Sequence, residues 1–408
     1  VKGFTQYLMM RQSVVCSPGM LLPLDIDEAI GALLKQYWID SGSTSFLISK
    51  PYFEGESLVS VQIMHRDYLD PYVIAEIGVN HEGSLARALK MIDSVASAGG
   101  HAAKFQTYKA ATLASRDSSP AYWDTTKEAT PSQFELFSRY DSFGVAEYEI
   151  LAEHCAEVGI DFLSTPFDLP SVSMLAPYMP AFKIASADLT NVPLVREIGA
   201  QGKPVIMSIG ASTFDEIDRA MGVLTSAGAT QIGLLHCVLR YPTPPADANL
   251  LVISSLLERY GQDATVGYSD HVAPNEDGDV PSLLLASSLG ARIIEKHFTD
   301  DRSAVGNDHY HAFDESGLRR FTRELAQRRE LAGSPTPDTL SQRTAIQNAR
   351  RRICVAQDLR SGTVLLESDL IPLRANQGIE VAEWDQIVGR SLRVPKTKYD
   401  VLLISDLE

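Results

Sequence analysis

The 408-residue sequence predicts an α/β fold, a TIM (β/α)8 barrel with a small module behind it, on three observations. Short apolar runs alternate with longer amphipathic segments from residue 71 onward, the runs number eight, and nearly every run exits into polar residues. Alternation of this kind builds a parallel sheet covered by helices. A doubly wound open sheet shares the pattern, and the count of eight favours the barrel.

In chain order the runs are YVIAEIG at 72–78, AAKFQT at 102–107, DFLSTPF at 161–167, AFKIAS at 181–186, PVIMSIG at 204–210, IGLLHC at 232–237, TVGYSD at 265–270 and RIIEKHF at 292–298. Short apolar runs bounded by polar residues or glycine fit strands covered on both faces. In the last of them Ile293-Ile294 gives way abruptly to Glu295-Lys296-His297, so charge stands where the strand emerges. Between runs, segments such as SLARALKMIDSVASAGG and TFDEIDRAMGVLTSAGA repeat apolar residues every three or four positions and stop at glycine, as amphipathic helices do. The barrel is expected over 71–331. The proline- and serine-bearing AGSPTPDTLSQ opens a linker over 332–348, and 349–408 reads as a separate small module. Residues 1–70 are an N-terminal extension legible only locally. There LDIDEAIGALLKQYWID suggests an acid-capped helix, and STSFLISKPYFEGESLVSVQIMHRDY suggests two strands around an EGE turn.

Composition narrows the function. A formal net charge of −16 opposes a nucleic-acid partner, so an anionic substrate needs a local pocket of lysines and arginines. No apolar stretch reaches the roughly 18 residues of a membrane span. Cys16, Cys155, Cys237 and Cys354 lack metal-type spacing and suit the reduced thiols of a cytoplasmic protein. The opening VKGFTQYLMMRQSVVCSPGMLLPLD has too interrupted an apolar core for a signal peptide, and its initial valine reads as an incomplete or alternative start.

If the runs close into a barrel, their exits converge on one mouth. Glu76, Lys104, Gln106, Ser164, Thr165, Lys183, Ser186, Ser208, His236, Ser269, Asp270, His271, Glu295, Lys296 and His297 all stand at such exits. Lys104 and Lys183 among short hydroxyl donors suit a phosphate or a carboxylate, and together a phosphorylated acid. His271 and His297 end neighbouring strands and can face one volume. Two imidazoles with open positions suit a divalent metal ion, manganese before magnesium or cobalt. Taken singly, a histidine is more often a hydrogen-bonded structural residue and a strand-end lysine merely solvated; the joint placement is what points to a site.

The ordered motifs AEIGVNHEGS (75–84), KFQTY (104–108), STPFD (164–168), FKIASADLTNVPL (182–194), HCVLRYPTPPADANL (236–250), GYSDH (267–271), EKHFT (295–299) and GNDHYH (306–311) resemble the sialic acid synthase family. That family includes N-acetylneuraminate, legionaminic and pseudaminic acid synthases. The resemblance covers about 71 to 408. It implies a transferase that condenses phosphoenolpyruvate with an open-chain N-acylated mannosamine-type sugar, giving a nine-carbon 2-keto acid and phosphate. A legionaminic, pseudaminic or spore-coat polysaccharide sugar synthase would differ only in the sugar. A catalytically inactive binding or assembly relative is the rival from another class, and it predicts loss of pocket lysines or metal histidines, all of which are present.

Position by position, the resemblance assigns Lys104, Gln106, Thr165, Lys183, Ser186, Ser208 and Ser269 to the phosphoenolpyruvate pocket, and His271 and His297 to the metal. It assigns Asp308 and Tyr241 to the sugar and Glu76 to the reacting centre. Asp188 takes a proton-handling position where many members carry the longer glutamate. Leu239 or Arg240 stands where the best-known type has asparagine before Tyr-Pro-Thr-Pro; an arginine there either adds a hydrogen-bond fork for substrate or sits on the surface. The stretch ARRRICVAQDLRSGTVLLESDLIPLRANQGIE resembles the antifreeze-like SAF domain, a β-clip, that closes this family's chain. A domain-swapped homodimer is implied, each cap covering the partner's barrel and lending the sugar an arginine, here Arg374. Arg-Ala-Asn replaces the usual Arg-Pro-Gly, and Tyr399 stands for a turn glycine. The family often plugs the barrel bottom with an N-terminal hairpin, a role open to the second strand of the extension.

Overall fold

The computed structural model describes residues 63–117, 130, 132–306 and 308–408. Eight parallel strands, β1 (Tyr72–Gly78), β2 (Ala102–Thr107), β3 (Asp161–Pro166), β4 (Phe182–Ile184), β5 (Val205–Ser208), β6 (Ile232–Cys237), β7 (Thr265–Asp270) and β8 (Ile293–His297), form one sheet in the order 3-2-1-8-7-6-5-4. β3 and β4, consecutive in the chain, occupy its two ends and pack against each other, so the sheet curls into a TIM barrel. Every expected run carries a strand.

The two-residue period of a strand sorts its side chains between two cores. From β1, Val73, Ala75 and Ile77 face outward and join Met91, Ile92 and Val95 of α1 (Leu85–Ser97). Tyr72 and Ile74 face inward instead, where Ala102, Leu163, Ala181, Ile206, Leu235 and Ile293 complete an apolar layer. Ile63 and Met64 belong to this inner cluster, and Thr265 at the start of β7 donates to Met64 O at 2.7 Å, so both residues plug the N-terminal end of the barrel. They are helical, where a strand was expected. A closed barrel offers no sheet edge to pair with, so a segment on its floor must satisfy its own backbone. The expected helix and the part of the two strands before residue 63 lie outside the described residues.

Helix ends follow local chemistry. Ser84 accepts from Arg87 N at 3.3 Å to start α1, and Thr213 and Glu216 cap the helix Phe214–Ala227 reciprocally. That helix stops at Gly228, whose φ of 117° a side chain would resist. None of the described helices is long and apolar enough to cross a membrane.

Residues from Leu331 onward form a second compact unit. Its antiparallel pair, β9 (Arg351–Val355) and β10 (Leu370–Arg374), packs with Leu365, Ile379, Leu392 and Leu402 into a separate small core. Part of the expected linker is helical, at Arg343–Ala349. Tyr399, where a turn glycine was expected, has φ of 78° and donates its N–H to Val355 O at 2.8 Å.

Gly267 faces into the barrel, and a Cβ there would meet Ile293 O and Leu235 Cδ2 well inside contact distance. Gly267→Ala is expected to cost about 1–3 kcal/mol of stability, read as a lowered urea midpoint. An unchanged midpoint would show that the barrel interior has slack at this layer.

Candidate active site

Along each strand the inward positions turn from apolar to polar towards the C-terminal end. Glu76 follows Ile74, Lys104 and Gln106 follow Ala102, Thr165 follows Leu163, Lys183 follows Ala181, Ser208 follows Ile206, and Glu295 and His297 follow Ile293. Together with Ser269 of β7 and the loop residues Ser186, Asp188, Tyr241, His271 and Asp308 they line one cavity of about 340 Å³. The barrel residues singled out from the sequence as site candidates thus share one volume. The same period turns other strand-exit residues away from it. Ser164 meets Thr107 Oγ1 at 2.7 Å, His236 meets Ala248 O at 2.8 Å, and Asp270 pairs with Lys296 at 2.5 Å. Arg374 is exposed on β10 of the second unit.

The cavity floor is a buried network of opposite charges. Lys104 forms a short ion pair with Glu76, lies 3.7 Å from Glu295 and donates to Thr165 Oγ1 at 3.2 Å. Lys183 donates to Ser208 Oγ at 2.7 Å and lies 3.7 Å from the other oxygen of Glu295. Ser269 donates to Glu295 at 2.8 Å, and Gln106 donates to Glu76 at 3.0 Å. Burial alone would raise both carboxyls. For Glu76 burial prevails over Lys104 and holds the carboxyl above its usual range, whereas Glu295, flanked by both lysines, is held below it. Burial lowers Lys183; in Lys104 the pull of Glu295 and Glu76 outweighs burial and raises it. Sequence reasoning noted Glu295 at the exit without giving it a role; its place between the lysines makes it central.

His271 and His297 bring imidazoles to the same cavity, and His311 lies beside them. His271 donates from Nδ1 to Val238 O at 2.8 Å, which fixes the tautomer and leaves Nε2 as the unprotonated nitrogen. Its ring centre is 5.3 Å from that of His297, which is 4.9 Å from that of His311. His297, Asp308 and His311 each bring a donor atom within 4.8 Å of the others, a spacing that fits a metal ion. Nδ1 of His297 and both ring nitrogens of His311 are buried without a hydrogen-bond partner. Burial holds His271 at about 4, and His297 and His311 well below the ordinary value, so all are neutral near pH 7, as ligands must be. The donor chemistry and the orphaned nitrogens fit a divalent ion. His311 escaped sequence reasoning because it lies on the loop beyond β8; its spacing from Asp308 within GNDHYH was the available signal.

The open alternatives around residue 240 separate here. Arg240 pairs with Asp247 on the surface and does not line the cavity, whereas Leu239 does. Leu239, Tyr108, Leu113, Phe137 and Phe167 give the cavity apolar and aromatic lining. Asp188 also lines it, with its carboxyl raised by burial, and accepts from Asn191 Nδ2 at 3.0 Å. Cys237 is a buried free thiol in the wall.

His271 shares its depressed basicity with His81 and His101, each lowered by burial from 6.5 to about 4. Their folded values lie below the unfolded one, so the unfolded chain binds more protons throughout that window. The stability they contribute is complete above pH 6.5 and is lost as the pH falls through 4. In chelator-treated protein the urea midpoint should therefore fall between pH 6.5 and 4.5, and His101→Gln should flatten the fall. A midpoint constant over that range would contradict the buried neutral state.

A profile of the NeuB family matches residues 91–336. Over 323 residues the chain is 33% identical to an N,N'-diacetyllegionaminic acid synthase of Campylobacter jejuni, covering 78% of this chain and 94% of that protein. Over 267 residues it is 33% identical to an N-acetylneuraminate-9-phosphate synthase of Drosophila melanogaster, covering 65% and 70%. Among solved structures, the N-acetylneuraminic acid synthetase of Leptospira borgpetersenii in complex with citrate is 32% identical, with a TM-score of 0.57 over 68% of this chain and 90% of that one. Profile, sequence relatives and barrel agree, and the chain belongs to the NeuB family.

Proposed function

We propose that the protein is a metal-dependent synthase that joins phosphoenolpyruvate to an open-chain N-acylated mannosamine-type sugar, with water, to give a nine-carbon 2-keto acid and phosphate. The observation that carries this reading is that two buried lysines and the neutral imidazoles of His271 and His297 line a single cavity. The names of the relatives support the product class. In the reaction, C3 of phosphoenolpyruvate bonds to the aldehyde carbon, whose oxygen takes a proton. Water adds at C2, and loss of phosphate from that carbon leaves the ketone.

Each residue has a task in this scheme. Lys104 and Lys183 hold the carboxylate and phosphate, with Gln106, Thr165, Ser186, Ser208 and Ser269 as short neutral partners. Glu295, an anion fixed between the lysines, stabilises positive charge developing at C2 without reorganisation. Glu76 and Asp188, both raised by burial, hold and pass protons. Asp308 and Tyr241 position the sugar. A divalent ion, manganese in this proposal, would be held by His271 and His297 together with Asp308 and His311, and would supply Lewis-acid polarisation of the aldehyde. A second reading, an acceptor other than N-acetylmannosamine, is favoured by Leu239, which cannot make the hydrogen bonds of an asparagine. The second unit is proposed to cap the barrel of the partner in a homodimer and bring Arg374 to the sugar, supported by the resemblance of 349–408 and by the exposure of that side chain.

Purified protein with phosphoenolpyruvate, manganese and a panel of N-acylated aldoses should release phosphate; no release with any of them would sink the enzyme reading. Lys104→Ala and Lys183→Ala should each weaken phosphoenolpyruvate binding by roughly 1.5–3 kcal/mol in calorimetry. Unchanged affinity in both variants would move the phosphate elsewhere. Mixing inactive His297→Ala with inactive Arg374→Ala should, after subunit exchange, restore about a quarter of the sites, because one mouth of each heterodimer then has an intact barrel and an intact cap. No recovery despite demonstrated exchange would rule out capping across the dimer.

A further inference from the structure

Asp270 and Lys296 are strand-exit charges that the cavity does not use. They stand opposite each other in the β7–β8 register, face the helix layer, and are only 0% and 3% exposed. A buried ion pair is costly to form and is often replaceable by apolar residues without loss of stability, so its bonds must be asked what else they do. Asp270 Oδ2 accepts from Lys296 Nζ at 2.5 Å and from Val272 N at 3.1 Å. Lys296 Nζ also donates to Val272 O at 2.6 Å. Asp270 Oδ1 accepts from Tyr268 OH at 2.6 Å and from Ser282 Oγ at 2.8 Å.

The pair therefore grips both backbone polar groups of Val272 and anchors Asp270 to two further hydroxyls. Between Asp270 and Val272 lies His271, and directly after Lys296 comes His297. One clamp thus ties the short segment carrying one imidazole to the strand carrying the other. Val238 O holds the first ring from the far side. On the cavity face Ser269 donates to Glu295, a second side-chain link between β7 and β8.

We propose that Asp270 and Lys296 are positioning residues of the metal centre: without touching ion or substrate, they set the spacing of His271 and His297 and so the affinity for a divalent cation. The inference rests on the metal reading above. Supports of this kind typically change metal affinity about 10- to 100-fold when removed. The test is manganese binding to the full chain, followed by calorimetry and by the paramagnetic signal of the free ion, with phosphoenolpyruvate affinity and the urea midpoint measured alongside. Asp270→Asn/Lys296→Met removes both charges together and avoids leaving one unpaired. The expected result is a manganese Kd raised at least about 10-fold, with phosphoenolpyruvate affinity, governed by Lys104 and Lys183, unchanged within about twofold. An unchanged manganese Kd in a folded double variant overturns the inference while leaving the metal reading intact. Parallel loss of manganese binding, phosphoenolpyruvate binding and stability also overturns it, in favour of a purely structural pair. Absence of manganese binding in the unaltered protein overturns the metal reading itself, and this inference with it. Should the double variant not fold, Ser282→Ala, which removes one bond to Asp270, carries the test. A manganese Kd raised about two- to threefold supports the proposal, and no change overturns it.

Discussion

Two ammonium groups sealed inside a protein demand counter-charge, and the remaining features of the cavity follow from how that demand is met. Lys104 and Lys183 are answered from within the barrel by Glu76 and Glu295, and their remaining protons reach Thr165 and Ser208. Removing any one member would strand a charge in a low-dielectric interior, so the four act as a unit. The balance also explains the uneven carboxyls. Glu295, between both cations, stays ionised easily, whereas Glu76 leans on Lys104 and is pushed by burial towards its protonated form.

The polar floor is possible only because an apolar layer lies beneath it. Tyr72, Ile74, Leu163, Ile206, Leu235 and Ile293, closed off by Ile63 and Met64, keep the far end of the barrel filled. Packing there holds the strands in register, and the register in turn sets which side chains meet at the mouth. Cations, hydroxyls, the imidazoles of His271 and His297, Asp308 and the apolar side chains of Leu239, Phe137 and Phe167 line the one cavity. Outside the barrel wall, Asp270 and Lys296 show the same register serving the opposite face: adjacent residues on β7 and β8 look alternately into the cavity and into the helix layer.

Much of this was legible in the sequence because it is local. The eight apolar runs appear as strands, since a buried parallel strand can be made only from such a run, and the glycine stop at Gly228 marks a helix end in the left-handed region. The gathering of Lys104, Lys183, Ser208 and His297 followed once a barrel was assumed, because strand exits converge on one mouth. His311 was not legible in that way: it sits on a loop, and no periodicity places a loop residue beside a strand end. Nor was the helical turn at Ile63 and Met64, whose form depends on a closed floor with no free edge.

By itself, then, the sequence determined the repeating strand–helix order, the chemistry available at the strand exits, the kinship with a synthase family and a distinct C-terminal module. Tertiary structure alone decided which exit residues act together. Inward or outward facing depends on the phase of each strand in the closed sheet, and that phase sends Glu295 into the cavity and its neighbour Lys296 away from it. It decided equally that Leu239 meets the cavity while Arg240 turns to Asp247. These choices are made by packing and charge balance among residues far apart in the chain, which spacing along the sequence does not encode.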